Sequence, residues 1–457
     1  MKGAISLDTL DKKAFYKELI GLAIPLGLQN LLTALIGATD ALILGRLSQE
    51  AVAAVSLGNQ IAFIMSMFTF SVIGGGGVLV AQYWGKGDRK TVKNLMCTII
   101  KYSLGISVVF WLLASFAPEM LMRLYTPEQE LIEIGAKYLK VVSVSYLLNA
   151  VNQGYFLIMK VSGNTTRSVV ISVVTLVTDV VLDLLFVYGL FGLPRLGATG
   201  SALSTVFVEA VAFVWCVAFS FRKDMVRPDL KGFIWFNKDM FRDLMKVALP
   251  MLASALTWGV GFSMRSLLMG HMGTDATAAS SIAALVQELV TCLCKGVSTG
   301  SGIMLGKLLG ENMLPKAKAY GAEFWKVSIW VGLLNSMLVL LVSPLAIMFF
   351  VLTEAARQYL IWMLLFSAVY VFAFSLNTIV TCGVFPAGGD SAYDAISVAY
   401  SMWCFALPAS FLALFVLKWP VMVVYILMCA DEIVKLPWIY PRYKKYIWLK
   451  NLTRDDV

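Results

Sequence analysis

LAIPLGLQNLLTALIGATDALILGRLSQEAVAAVS, residues 22–56, lies without a gap over VALPMLASALTWGVGFSMRSLLMGHMGTDATAASS, residues 247–281. Pro25 meets Pro250, Gly45 meets Gly270, Ala51 meets Ala276 and Ser56 meets Ser281. The register continues beyond these stretches, with Gly75, Gly77 and Gly85 falling on Gly300, Gly302 and Gly310, and Asn152 and Gly163 on Asn377 and Gly388. One match is chance; a constant offset across so many Gly and Pro positions marks two homologous halves.

Composition says what solvent those halves live in. The chain has 457 residues, 59% hydrophobic and 14% charged, with a mean hydropathy of +0.79, far too apolar for a soluble globular protein. A spanning helix needs roughly 20 mostly apolar residues, and about twelve such stretches follow one another, from 18–44 to 419–438. They do not alternate as the strands of a barrel would. The expected fold is an all-α integral membrane protein of twelve transmembrane helices in two pseudo-symmetric six-helix lobes. The expected lobes are 1–220 and 246–457, joined by a basic cytoplasmic linker at 221–245 that contains Pro228 and an amphipathic portion. An even number of spans per half keeps both halves in one orientation, a parallel repeat with a site expected between the lobes.

Lys12, Lys13 and Lys17 precede the first span, Lys86, Arg89, Lys90 and Lys93 follow the second, and Arg442, Lys444, Lys445, Lys450 and Arg454 trail the twelfth. The loop after the third is acidic instead, with Glu119, Glu128, Glu130 and Glu133. By the positive-inside rule both termini are cytoplasmic, and the net charge of +9 is a topology signal rather than a nucleic-acid surface. Residues 1–17 are polar and the run behind them is too long for a cleaved signal, so none is expected. The seven cysteines are scattered through apolar spans without metal-ligand spacing and are read as small buried residues; His271, the one histidine, is read as a surface residue.

Three further stretches carry a resemblance. Pro25 with Asp40-Ala-Leu-Ile-Leu-Gly45, the segment LVAQYWGKGD at 79–88, and Asp179-x-x-x-Asp183 followed by LGATGSALST at 196–205 resemble the multidrug and toxic compound extrusion (MATE) family over nearly the whole chain. The resemblance implies a cation-coupled exporter with alternating access and an organic cation or drug as cargo. It also implies that Asp40, Asp183 and Asn152 sit at the family's acidic and asparagine positions. Asp179 departs from it, since many members carry Asn there.

The residues point the same way by themselves. No GxxxxGK[ST] loop occurs, and no soluble segment is long enough to bind and hydrolyse ATP, so energy is expected from an ion gradient. Asp40, Asp179 and Asp183 lie well inside apolar runs, where acids are usually functional. Residues four apart share a helix face, so Asp179 and Asp183 cannot both be ionised in a low dielectric unless they share a cation. Asn152, Ser201, Ser204 and Thr205 are the oxygen-bearing partners expected to complete a shell for a hard cation, with Asp40 and Asp183 as the metal ligands if that cation is sodium. The plain alternative is that these aspartates only cap or bond neighbouring helices. Opposite Asp40 in the repeat stands Arg265; with Glu288 and Lys295 it forms a C-lobe charge group, in which Glu288 pairs either with Lys295 or with Arg265. Pro25 is the expected hinge of the first span, and the four glycines at 74–77 permit bending or close packing.

The expected function is therefore a proton- or sodium-coupled exporter in a bacterial plasma membrane, acting as a monomer on an amphipathic, cationic small molecule within membrane lipid. No catalytic residue, cofactor or nucleic-acid partner is expected; the only ligand besides cargo is the transported H+ or Na+. A flippase for lipid-linked oligosaccharide is the competing reading, with Arg265 and Lys295 as its support. A channel or a membrane-embedded enzyme has less, for want of a lined pore or a His/Cys/Ser cluster.

Overall fold

The computed structural model describes residues 11–192, 194–222, 225–228, 230–234, 237–350 and 352–454. Among them are ten helices long and apolar enough to cross a membrane. In chain order these include α1 Lys12–Gly45, α2 Gln49–Lys86 and α3 Arg89–Phe116. A further long helix, α4, spans Gln129–Val161. Then come α5 Thr165–Tyr188, α6 Ala198–Ser220, α7 Lys238–His271, α8 Thr274–Gly310, α9 Leu314–Phe349, α10 Glu354–Ala387 and α11 Ser391–Val416. The twelfth, α12, is two helices, Val421–Cys429 and Asp431–Lys444, broken at Ala430. The fold is thus the expected twelve-helix, all-α membrane architecture, with no strand among the described residues. Several helices outrun their apolar stretch: the 38 residues of α2 rise roughly 57 Å, against roughly 30 Å of hydrocarbon. Parts of the 221–245 linker lie outside the described residues; the rest includes a short helix, Leu230–Ile234.

Packing divides the chain into two compact units. An N-terminal unit holds the described residues of Leu31–Val80 and Asp88–Ala248; a C-terminal unit holds the described residues up to Asn30, Ala81–Gly87 and everything described from Leu249 onward. The first turns of α1 and the last turns of α2 therefore pack with the second half of the sequence.

The repeat is visible in three dimensions within the C-terminal unit. A Cβ added at Gly85 would stand 2.7 Å from the Lys307 carbonyl carbon, and one at Gly310 would stand 2.5 Å from the Gln82 carbonyl carbon. Gly85 and Gly310 are repeat mates, and so are Gln82 and Lys307, so the end of α2 crosses α8 with a local two-fold. At its centre a Cβ on Gly306 would meet the Cβ of its own mate, Ala81, at 2.7 Å. Only glycine lets backbones cross this closely.

The glycines at 74–77 do not break α2, which runs through them; they admit neighbours. Cβ atoms at Gly75 and Gly77 would stand 2.9 Å from the Ala248 backbone and from Leu157 Cδ1, and one at Gly76 would collide with Ile99. Pro25 and Pro250 each sit inside a helix of 34 residues. In α10 and α11 the turns at Ile379–Val384 and Ala399–Ala406 widen to π-helix just before Pro386 and Pro408. A proline ring clashes with the carbonyl four residues back, and a wider turn relieves the clash. The basic tail is tied down: Gln82 Nε2 donates to Ala387 O at 2.6 Å, and Leu452 N to Gln82 Oε1 at 2.6 Å. Five cysteines are buried as expected, whereas Cys382 and Cys404 are exposed. His271 is exposed, its Nδ1 3.0 Å from Leu267 O.

Candidate functional site: a carboxylate cluster in the N-terminal unit

Helix α5 ends at Gly189, whose φ of 69° suits glycine, and α6 begins after Gly197 at φ 55°. The returning α6 can lie against α5 because Gly200 has no side chain: a Cβ there would stand 2.7 Å from the carbonyl carbon of Phe186. Tyr188 Oη donates to Ile43 O at 2.7 Å and ties the end of α5 to the end of α1. A core including Leu44, Tyr138, Leu139, Tyr146 and Val187 packs around these ends.

Held this way, Asp40 of α1 and Asp179 and Asp183 of α5 bring one carboxylate oxygen each to within 4.8 Å of one another. Asp179 is 2% exposed and Asp183 is 0% exposed. Ser204 Oγ donates a short hydrogen bond to Asp183 Oδ1. Asp40 Oδ1, Asp179 Oδ2 and Asp183 Oδ2 are buried with no hydrogen-bond partner, and no described cationic side chain pairs with any of the three acids. Three like charges cannot be held so near each other out of water without positive charge among them. The donor set is entirely oxygen, which suits a proton or a hard cation such as sodium.

The other predicted partners divide. Ser201 lies beside Asp183, and Ser204 bonds it. Thr205 Oγ1 instead donates to Ser201 O at 3.1 Å, within its own helix. Asn152, placed by the sequence reading in the same shell, turns elsewhere: its Nδ2 donates to Glu209 Oε2 at 2.6 Å and to Glu209 O at 3.0 Å. Asn149 Nδ2 donates to Glu209 Oε1 at 2.7 Å. Glu209, on α6, was missed. The signal was present, since it is an acid inside an apolar span like Asp40.

In the C-terminal unit, Arg265 Nη2 stands 2.5 Å from Asp431 Oδ1, with Tyr370 beside the pair. This rules out the pairing of Glu288 with Arg265; Glu288 Oε1 lies 3.8 Å from Lys295 Nζ on an exposed face. Lys435 Nζ lies 2.6 Å from Glu432 Oε1 and both side chains are buried. Asp431 and Glu432 occupy the first turn after the break at Ala430, where the helix dipole favours acids.

A family model described as MatE matches residues 25–185 and 250–383, the two halves separately and more than half of the chain. The chain belongs to the MatE family. Among its relatives are the uncharacterized transporter YisQ of Bacillus subtilis, 23% identical over 99% of each chain, and the probable multidrug resistance protein YoeA of the same organism, 22% identical over 97% of this chain and 96% of that one. The fold matches a multidrug resistance MATE family transporter in an outward-facing conformation with a TM-score of 0.85, at 19% identity over 94% of this chain and 96% of the other. It also matches the Vibrio cholerae MATE transporter VcmN in its bent form, with a TM-score of 0.83, at 17% identity over 96% and 97%. This MATE chain is accordingly a multi-pass membrane protein, and a transporter by family.

Proposed function

We propose that this chain exports organic cations or drugs by alternating access, driven by inward movement of H+ or Na+ through the carboxylate cluster of Asp40, Asp179 and Asp183. The observation that carries the reading is the meeting of three carboxylates from α1 and α5, Asp179 and Asp183 buried and Asp40 half-buried, within 4.8 Å, with no described cationic side chain among them. A bound cation relieves their repulsion and lets α1 close on α5; losing it restores the repulsion, so loading biases which arrangement is populated. Pro25 is the hinge of α1 in this scheme, and a Pro25→Ala variant with unchanged transport would remove it from the mechanism. Both termini are cytoplasmic, the membrane is the plasma membrane, and the working unit is a monomer. The names of relatives such as YoeA, a probable multidrug resistance protein, support the cargo class.

The test is efflux of ethidium from proteoliposomes under separate proton and sodium gradients. One gradient should drive it in the wild type and neither in Asp40→Asn; efflux indifferent to both gradients and to the substitution would end the coupling reading. A flippase loses its best support here, because Arg265 is engaged by Asp431 and Lys295 by Glu288.

A further inference from the structure

The clamp on Glu209 has a twin. Asn377 of α10, the repeat mate of Asn152, donates from Nδ2 to Glu432 O and to Glu432 Oε2, both at 2.7 Å. This reproduces the bonds of Asn152 to the carbonyl and carboxylate of Glu209. The two glutamates are therefore structural counterparts, and their neighbourhoods can be laid side by side: Val208-Glu209-Ala210-Val211-Ala212 against Asp431-Glu432-Ile433-Val434-Lys435. One turn on from Glu432, an ammonium sits on the carboxylate at 2.6 Å. One turn on from Glu209 there is only the methyl of Ala212, and no described cation pairs with Glu209. Glu432 and Lys435 are 3% and 5% exposed, whereas Glu209 keeps a partly open face.

We propose that Glu209, steadied by Asn149 and Asn152, is the subsite that takes the ammonium group of a protonated-amine substrate, in the way Glu432 permanently holds the ammonium of Lys435. This deepens the exporter reading and rests on it. The amides of Asn149 and Asn152 use one lone pair on each carboxylate oxygen and leave room for N–H donors from a ligand. The charges facing Glu209 favour a cation. From α5 comes Asp179, which repels a second negative charge; from α4 come only the neutral amides; on its own helix Cys216 is nearby. A carboxylate that offers hydrogen-bond acceptors should prefer amines that donate over quaternary ammonium groups that cannot, by about tenfold or more.

The test is equilibrium binding to the purified full-length protein in detergent, without any gradient, of n-octylammonium against n-octyltrimethylammonium. Wild type should prefer n-octylammonium about tenfold. Glu209→Gln should lose the preference, and so should Ala212→Lys, whose ammonium fills the subsite from within as Lys435 does. Glu288→Gln, on an exposed face of α8, should keep it. Equal binding of the two probes by the wild type, a preference that survives both Glu209→Gln and Ala212→Lys in protein with wild-type melting, or a preference lost in Glu288→Gln would each overturn the assignment. Because no ion gradient enters, a failed coupling reading and a failed subsite give different results.

Discussion

The two halves of this molecule descend from one pattern and have parted in charge. In the C-terminal unit each buried acid among Asp431 and Glu432 has its own base, Arg265 or Lys435. In the N-terminal unit Asp40, Asp179, Asp183 and Glu209 have none among the described residues, and Asp40 stands where the repeat places Arg265. A half that carries its own cations can be rigid; one that must borrow them has a charge state that depends on what is bound. The difference teaches where to look for coupling in a duplicated transporter: in the copy whose acids lack partners.

The comparison can be broken most severely at Asp40. Asp40→Asn is expected to bring gradient-driven efflux down to the vesicle background while leaving melting temperature equal or higher, because it removes a repulsion rather than a bond. Arg265→Ala should do the reverse in kind. It strands Asp431 in the protein interior and should cost about 3–5 kcal/mol of unfolding free energy, most of it recovered in Arg265→Met combined with Asp431→Leu. Thermal melts of the three proteins check this, and a stable Arg265→Ala would abolish the distinction between the halves. Close crossings should behave alike in both units. Gly200→Val and Gly310→Val each force backbones apart at a cost of about 1–3 kcal/mol, but only Gly200→Val should also depress efflux, by moving Ser204 away from Asp183. The smallest effect belongs to the exposed pair: Glu288→Gln should change stability by no more than about 0.5 kcal/mol and leave efflux intact.

Much of this was legible from residue types alone. Apolar runs placed the spans, and acids inside those runs pointed to Asp40, Asp179 and Asp183, because charge in hydrocarbon is costly enough to need a reason. Direction was harder. Asn152 and Thr205 offer oxygens at plausible positions, but nothing in a linear pattern says that one amide turns to Glu209 and one hydroxyl to its own helix. The Glu209 and Glu432 clamps escaped a gapless overlay because the repeat slips by two residues between Asn377 and Glu432. Nor does hydropathy reveal that residues 81–87 pack with the far half of the chain, that turns widen ahead of Pro386 and Pro408, or that α12 breaks at Ala430.

Ala81 facing Gly306 has an evolutionary consequence. A position that touches its own duplicate is under a joint size limit: after gene fusion neither copy can grow unless the other shrinks, so the two sites must covary as one. Exchanging them, Ala81→Gly with Gly306→Ala, conserves the total and should be silent, while Gly306→Ala alone sets two methyls against each other where there is room for one.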